Sequence, residues 1–547
     1  MKKIYILSIA LMASALLFSC EDQLDVDNPN EPGLASAETE TGVISLAQGA
    51  VYVNGFRELK YYDGIPGYFW SGAVGFHELM GDVVGEEAAN VFGNQIGAPD
   101  YVILDNGEQV LNPNAPNKQK QLVKQINVNS NAGSNTIYYE WAYMYSLNNA
   151  CNTVLETVEN VTFTGDAEAK KNTIKAWAYF WKGYAYSRIG SMYIAGIIND
   201  ESATTNPNYV TKEQIIAEAN SNFDEAASLL NGLTASADFT SVISSLIPDF
   251  NQVGHGGTLT PDMWVRNINT MRARNILVNT TVQNMTSAQW QEILALTNDG
   301  IKASDYVFTG RSNASGDFLS ASSGTVSAKA TGDPGQGATY KISERLIQDF
   351  KPGDLRFENN FNQLENPWRG ESSRGNVFNT RYELLDGGNG LEDVIILGSK
   401  TPGEYELFLA GSYEENELMR AEANIHSGNI EEGLQQIDAV RNYQGAGLKP
   451  VAGTGLSPEQ AMEELHRERR IGLLFRGLSF YDARRWGVIN DVSEGGGRTG
   501  AVVVDNMGLV NTNATINYNF AAYWDVPDNE LVYNQPAAGS APVTSPL

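Results

Sequence analysis

A pair of apolar stripes in the middle of the chain constrains the fold most. Trp141, Met144, Leu147, Cys151, Leu155 and Val158 recur at steps of three and four, as do Ile174, Trp177, Trp181, Tyr184 and Arg188. That periodicity belongs to α-helices with one buried face. It predicts helices over 136–158 and 166–189, with starts about 30 residues apart, the spacing of stacked helix hairpins. Neither helix covers its stripe alone, so each requires a neighbour.

Further amphipathic segments span 211–230, 261–282, 287–304, 413–427 and 430–442, and 457–486 reads as one long helix. Thr211 and Ser457 stand where an N-cap hydroxyl is needed, and Gly428 ends the segment before Asn429. The expected fold is therefore mainly α. Tetratricopeptide-like helix pairs form a solenoid scaffold (about 136–305 and 405–490), beside an irregular loop-rich lobe (about 56–135 and 306–404) and a C-terminal closing segment (491–547). All of this falls in a single domain over 41–547. The lobe is rich in Gly and Asn, but its Tyr61, Tyr62, Phe69, Phe92, Tyr340 and Tyr382 argue that it packs.

The N-terminus reads as an export signal over 1–19. Lys2 and Lys3 precede an apolar run from Ile4 to Phe18, too short for a membrane span of about 20 residues. Leu17-Phe18-Ser19-Cys20 has the form of a bacterial lipoprotein box, which makes Cys20 the lipidated residue, and the acidic, Pro-punctuated stretch 20–40 reads as a tether. No other run of 18 apolar residues follows, so the expectation is anchorage without spanning. Lipidation of Cys20 leaves Cys151 as the remaining thiol, expected to be buried filler in its helical stripe.

Charge and motifs then narrow the function. The 547 residues include 65 acids and 37 Lys or Arg, a net charge of −28 that repels phosphate backbones and excludes nucleic acid as a partner. His77, His255, His426 and His466 never occur in H-E-x-x-H spacing, and the chain has neither a G-x-S-x-G elbow nor a Gly-Lys dipeptide. The G-x-G-x-x-G at 495–500 leads into Ala501-Val502-Val503-Val504, the wrong order for a pyrophosphate cradle, and reads as a turn. No enzyme and no cofactor is expected. A structural calcium in the Gly-Asp loop 386–393 is left open.

The most informative stretch is Glu468-Arg469-Arg470-Ile471-Gly472-Leu473-Leu474-Phe475-Arg476-Gly477-Leu478-Ser479-Phe480-Tyr481-Asp482-Ala483-Arg484-Arg485-Trp486-Gly487. Its acids and arginines suit ion pairs along a packed helix rather than catalysis. It resembles the signature of the SusD/RagB family, matching at Glu468, Arg469, Arg470, Phe475, Gly477, Asp482, Arg485, Trp486 and Gly487. It departs at Gly472, Arg476 and Ser479, where lost charges put a local ion-pair network in question. The segments 24–30, 417–423 with 440–442, and 524–534 are also similar to the family's, in the same order, although Asp525 replaces a Pro of the closing motif.

The resemblance implies helix pairs supporting an irregular lobe, and a non-catalytic nutrient-binding lipoprotein of the outer-membrane surface. It implies a glycan ligand and a SusC-like TonB-dependent transporter as partner. A peptide ligand, as in a RagB-like protein, and a surface glycoside hydrolase are the alternatives. Family binding residues lie outside the shared motifs, so the candidates come from the lobe's chemistry, aromatic faces beside hydrogen-bonding groups: Tyr68, Trp70, His77, Asp82, Asn90, Trp368 and Arg369. Trp141, Trp177, Trp181, Trp290 and Trp486 fall on helical segments and are expected in the core.

Overall fold

A computed structural model describes residues 34–56, 69–86, 91–111, 118–311, 324–336, 338–370 and 379–546. The export signal and Cys20 lie outside them. The helices that build the body are numbered here as α1 (Glu40–Gly49), α2 (Val74–Met80), α3 (Thr136–Val158), α4 (Ala167–Met192), α5 (Lys212–Asn231), α6 (Ala237–Leu246), α7 (Pro261–Val278), α8 (Ser287–Asn298), α9 (Tyr413–His426), α10 (Ile430–Tyr443), α11 (Pro458–Gly472) and α12 (Ser479–Arg485). Each of α3, α4, α5, α7 and α8 starts on the side chain of an Asn, Asp or Thr that accepts a backbone N–H.

The apolar stripes do what their spacing requires. α3 packs on α4, α4 on α5, α5 on α7, α7 on α8 and α8 on α9, and α9, α10 and α11 close the run. Trp141, Trp177, Trp181 and Trp290 are buried along this stack, with Trp177 and Trp181 meeting edge to face at 5.7 Å. Cys151 is fully buried, and desolvation pushes its thiol up to about 12, so it behaves as an apolar residue.

Several expectations need correction. The stretch 457–486 is two helices, not one: α11 stops at Gly472 and α12 begins at Ser479. Between them Phe475 and Gly477 have φ of 62° and 69°, left-handed values that no helix continues through. The helix from Ser287 ends at Asn298, six residues early, because the Asn416 amide donates to the Thr297 carbonyl and caps it. Trp486 is half-buried rather than core, with its ring centroid 4.0 Å from that of His466. Residues 34–37 form a helical turn within the stretch read as tether.

The loop-rich regions are not separated from the scaffold by their own core. Phe69 and Trp70 join Phe56, which packs against Trp181 and Tyr184 of α4. The lobe also contains regular structure that periodicity did not show. Strands β1 (Tyr101–Ile103) and β2 (Gln109–Leu111), then β3 (Phe361–Trp368) and β4 (Thr380–Leu384), come from the lobe. β5 (Arg498–Val504) and β6 (Val510–Asn517) come from the closing segment. A four-stranded antiparallel sheet runs β5-β6-β1-β2, pairing Tyr101 with Asn517 and Ile103 with Thr515. β3 and β4 form a separate hairpin.

Candidate functional site

The signature segment is a buried ion-pair lattice. Glu468 accepts Arg356 at 2.6 Å and Arg441 at 2.8 Å, and Arg469 is bidentate to Asp482 at 2.9 and 3.0 Å. Arg485 grips Glu422 at 2.5 and 2.6 Å and reaches Asp482 at 2.8 Å. Arg470 donates to Asp349 and to the carbonyls of Gly81 and Asp82. Burial raises the Glu422 carboxyl, but Arg485 outweighs it and holds the group down at about 2. The three departures from the family pattern leave this network whole. Arg476 pairs with Glu414 at 2.8 Å, the Ser479 hydroxyl donates to Glu78 at 3.0 Å, and the Gly472 carbonyl accepts the Gln444 amide. These charges consume one another and hold α9, α10, α11 and α12 together, leaving none for a ligand.

The predicted site residues divide by environment. Tyr68 and Asn90 lie outside the described residues. Trp70, His77 and Asp82 are buried, at 4%, 0% and 5% exposure, out of reach of a ligand arriving from solvent. Trp70 belongs to the aromatic cluster around Phe56. His77 Nε2 lies 2.8 Å from Glu140 Oε2, and burial lowers its basicity. Burial raises the Asp82 carboxyl, yet Arg345, donating from Nη2 at 2.6 Å, with the Arg498 and Arg470 charges behind it, outweighs burial and holds the group well below its ordinary range; the Tyr518 hydroxyl also donates to it at 2.5 Å. A short apolar helix, α2, carries His77 into the core, and the turn after it places Asp82 there, which is why loop composition misjudged them.

Trp368 and Arg369 are placed differently. At the end of β3 they line an open cleft of about 460 Å³ with Pro367, Gly370 and Asn506. Lys341 Nζ stands 4.5 Å from the Trp368 ring centroid, and Arg369 Nη1 donates to the Asn506 carbonyl at 3.0 Å. Trp368 is half-buried and Arg369 exposed, so one ring and one guanidinium face solvent together.

A second cleft, of about 320 Å³, lies where α9 and α10 meet the lobe, and residue patterning did not point to it. The loop before α7 supplies His255, the short strand pair Thr309–Gly310 and Leu407–Phe408 leads into Arg311 and Phe408, and α10 ends in Tyr443. His255 Nδ1 lies 2.7 Å from Glu406 Oε2, and Arg311 reaches Glu406 Oε1 at 3.0 Å. The hydrogen bond to Glu406 raises the His255 pKa above its ordinary value. The rings of His255 and Tyr443 are 5.5 Å apart, and Tyr443 meets Tyr413 at 4.7 Å. Arg476 covers Phe408 at 3.9 Å. On the rim Asp393 has φ of 59°, against Gly445, where a Cβ would fall 2.1 Å from the Asp393 carbonyl oxygen. The cleft thus combines half-exposed aromatic rings with carboxylate, imidazole and hydroxyl groups, the chemistry that binds a polyhydroxylated ring.

A further cavity of about 440 Å³ beside Trp486 has a mostly apolar wall. Its Arg484 is spent on the carbonyls of Ser191, Ala522 and Val278. Among the described residues no group of three or more His, Cys, Asp or Glu is placed to hold a metal ion, the 386–393 loop included. Among them, too, no helix is long and apolar enough to cross a membrane.

Comparison with known proteins adds to this geometry. Residues 415–539 match the model of the SusD family. A SusD-like carbohydrate-binding protein of Bacteroides fragilis matches at TM-score 0.57 and 16% identity, over 90% of this chain and 98% of that one. A SusD-like carbohydrate-binding protein of Bacteroides vulgatus matches at TM-score 0.55 and 16% identity, over 92% and 98%. A SusD superfamily protein of Parabacteroides distasonis matches at TM-score 0.54 and 14% identity, over 91% and 98%. At such identities these likenesses establish the shared fold. No curated protein matches the sequence.

Proposed function

From the match of residues 415–539 to the model of the SusD family we propose that the chain is a member of that family and a non-catalytic glycan-binding lipoprotein of the outer-membrane surface. It captures oligosaccharide or polysaccharide and passes it to a SusC-like TonB-dependent transporter, anchored through Cys20. The observation that carries the binding role is the open cleft at His255 and Tyr443, where half-exposed rings stand beside hydrogen-bonding groups with room of about 320 Å³. The Trp368–Arg369 cleft supplies a second contact for a long chain. Solved relatives described as carbohydrate-binding share the fold, which agrees with this reading.

The full-length protein run through gels containing different polysaccharides tests it. At least one glycan should retard the protein, Tyr443→Ala should release most of that retention, and Trp368→Ala part of it. Retention by no glycan, or retention untouched by both substitutions together, overturns the assignment. Turnover of an oligosaccharide panel by the purified protein would overturn the non-catalytic part. Extraction in mild detergent should bring down a large β-barrel transporter with the protein, and extraction alone would remove the delivery role.

A further inference from the structure

The ligand's charge can be read from which groups in the His255 cleft are already spoken for. Three cations face the cleft or its floor, and each has a carboxylate. His255 and Arg311 share Glu406, and Arg476 pairs with Glu414 while lying on Phe408. Arg311 gives a further hydrogen bond to the Gly403 carbonyl at 2.7 Å. The acids are not balanced in the same way. Among the described residues, Glu404 on the exposed rim accepts the Ser399 hydroxyl and has no cation partner, and the exposed Asp393 carboxylate has neither. An entering molecule therefore meets spare acceptors and a half-exposed tyrosine ring, with each guanidinium and imidazolium charge already opposed by a carboxylate. A phenol ring beside carboxylates is also the arrangement that holds an ammonium group, through its π-face and through charge-assisted hydrogen bonds.

Resting on the reading of this cleft as the glycan site, we infer that it selects sugars bearing a free amine, with Asp393 and Glu404 receiving the ammonium against Tyr443, and that it disfavours acidic sugars. A uronic acid would need a free cation, and releasing Arg311 or His255 to supply one costs the half-buried Glu406 one of its two cationic partners.

The experiment is calorimetric titration of the full-length protein at about pH 5.5, where Asp and Glu are ionised. Three oligosaccharides of equal length serve as probes: glucosamine, N-acetylglucosamine and galacturonic acid. The glucosamine oligomer should bind at least about tenfold more tightly than its acetylated form, and the galacturonic acid oligomer most weakly. Asp393→Asn should remove most of the preference. Asn accepts left-handed backbone, so the turn at Gly445 survives the change. Glu168→Gln, an equal charge change on an exposed helix position far along the chain, should leave the preference intact and so separates the cleft from the protein's general acidity.

Equal affinity for the amine and its acetylated form, or a preference that survives Asp393→Asn combined with Glu404→Gln, overturns the inference. So does binding of a lysine-bearing peptide through Asp393 with no sugar bound. If Tyr443→Ala weakens both glucosamine forms alike while no charge preference exists, the cleft remains the glycan site and the amine selection alone fails. If Tyr443→Ala changes no titration, the site assignment itself fails.

Discussion

The signature segment and the His255 cleft are built from the same materials, arginine, carboxylate, histidine and aromatic rings, and they differ in what surrounds them. In the signature, Glu422, Glu468, Arg469 and Arg485 are at most 2% exposed and, with Arg441 and Asp482, are paired across four helices. In the cleft, the His255 side chain is 43% exposed and the Asp393 carboxylate has no partner among the described residues. Removing charge from water is costly unless a partner is fixed in place, so the lattice tolerates little change, and its residue pattern is the part of the chain easiest to recognise. The cleft stays open to exchange, and nothing in its spacing advertises it.

The sharpest way to break this contrast is to treat both regions alike. Arg485→Met leaves Glu422 buried without its main partner, so urea unfolding should show a loss of about 3–5 kcal/mol, with glycan affinity per folded molecule unchanged. Next in size is an acid effect at His466, whose pKa burial lowers to about 4. As pH falls from about 6.5 toward 4, the unfolded chain takes up a proton that the folded one refuses, so stability declines over that window. His466→Gln should flatten that limb of the stability curve. In the cleft, Tyr443→Ala should raise the glycan Kd about tenfold, or about 1.4 kcal/mol, while shifting unfolding stability by less than about 1 kcal/mol. The smallest effect belongs to the exposed i,i+4 pair Arg467–Glu463, 2.6 Å long. Arg467→Ala should change stability by no more than about 0.5 kcal/mol, although it sits one residue from the lattice.

Helix positions in the scaffold were legible because a 3.6-residue period is a local property. Thr136–Val158 has the predicted bounds, and the predicted caps Thr211 and Ser457 both accept first-turn N–H groups. The break between α11 and α12 was hidden because its cause is tertiary. Gly477 N–H donates to Glu78, 399 residues away, and the left-handed turn follows from that contact. The sheet was hidden for the same reason, since β1 and β2 are three-residue strands and β1, which joins the pair to the sheet, finds its other partner about 400 residues on. Among the candidate site residues, aromatic and polar type located Trp368 and Arg369 on an accessible face. It did not distinguish them from Trp70, buried against Phe56 and Phe69, or from His77 and Asp82, buried where α2 packs against α12. His255 and Tyr443 carried no signal beyond their identity, because the cleft is assembled from the ends of distant elements.

The order β5-β6-β1-β2 has a consequence for how the molecule comes into being. Tyr101–Ile103 finds its neighbour in Thr515–Asn517, so an early part of the chain waits for one made near the end of synthesis. Helix hairpins such as α3–α4 gain their contacts at once, while closing a ring of some 400 residues is slow and entropically uphill. During that wait the apolar face of β1 is uncovered. Premature release before Thr515 should therefore yield a species with most of its helices and a marked tendency to aggregate.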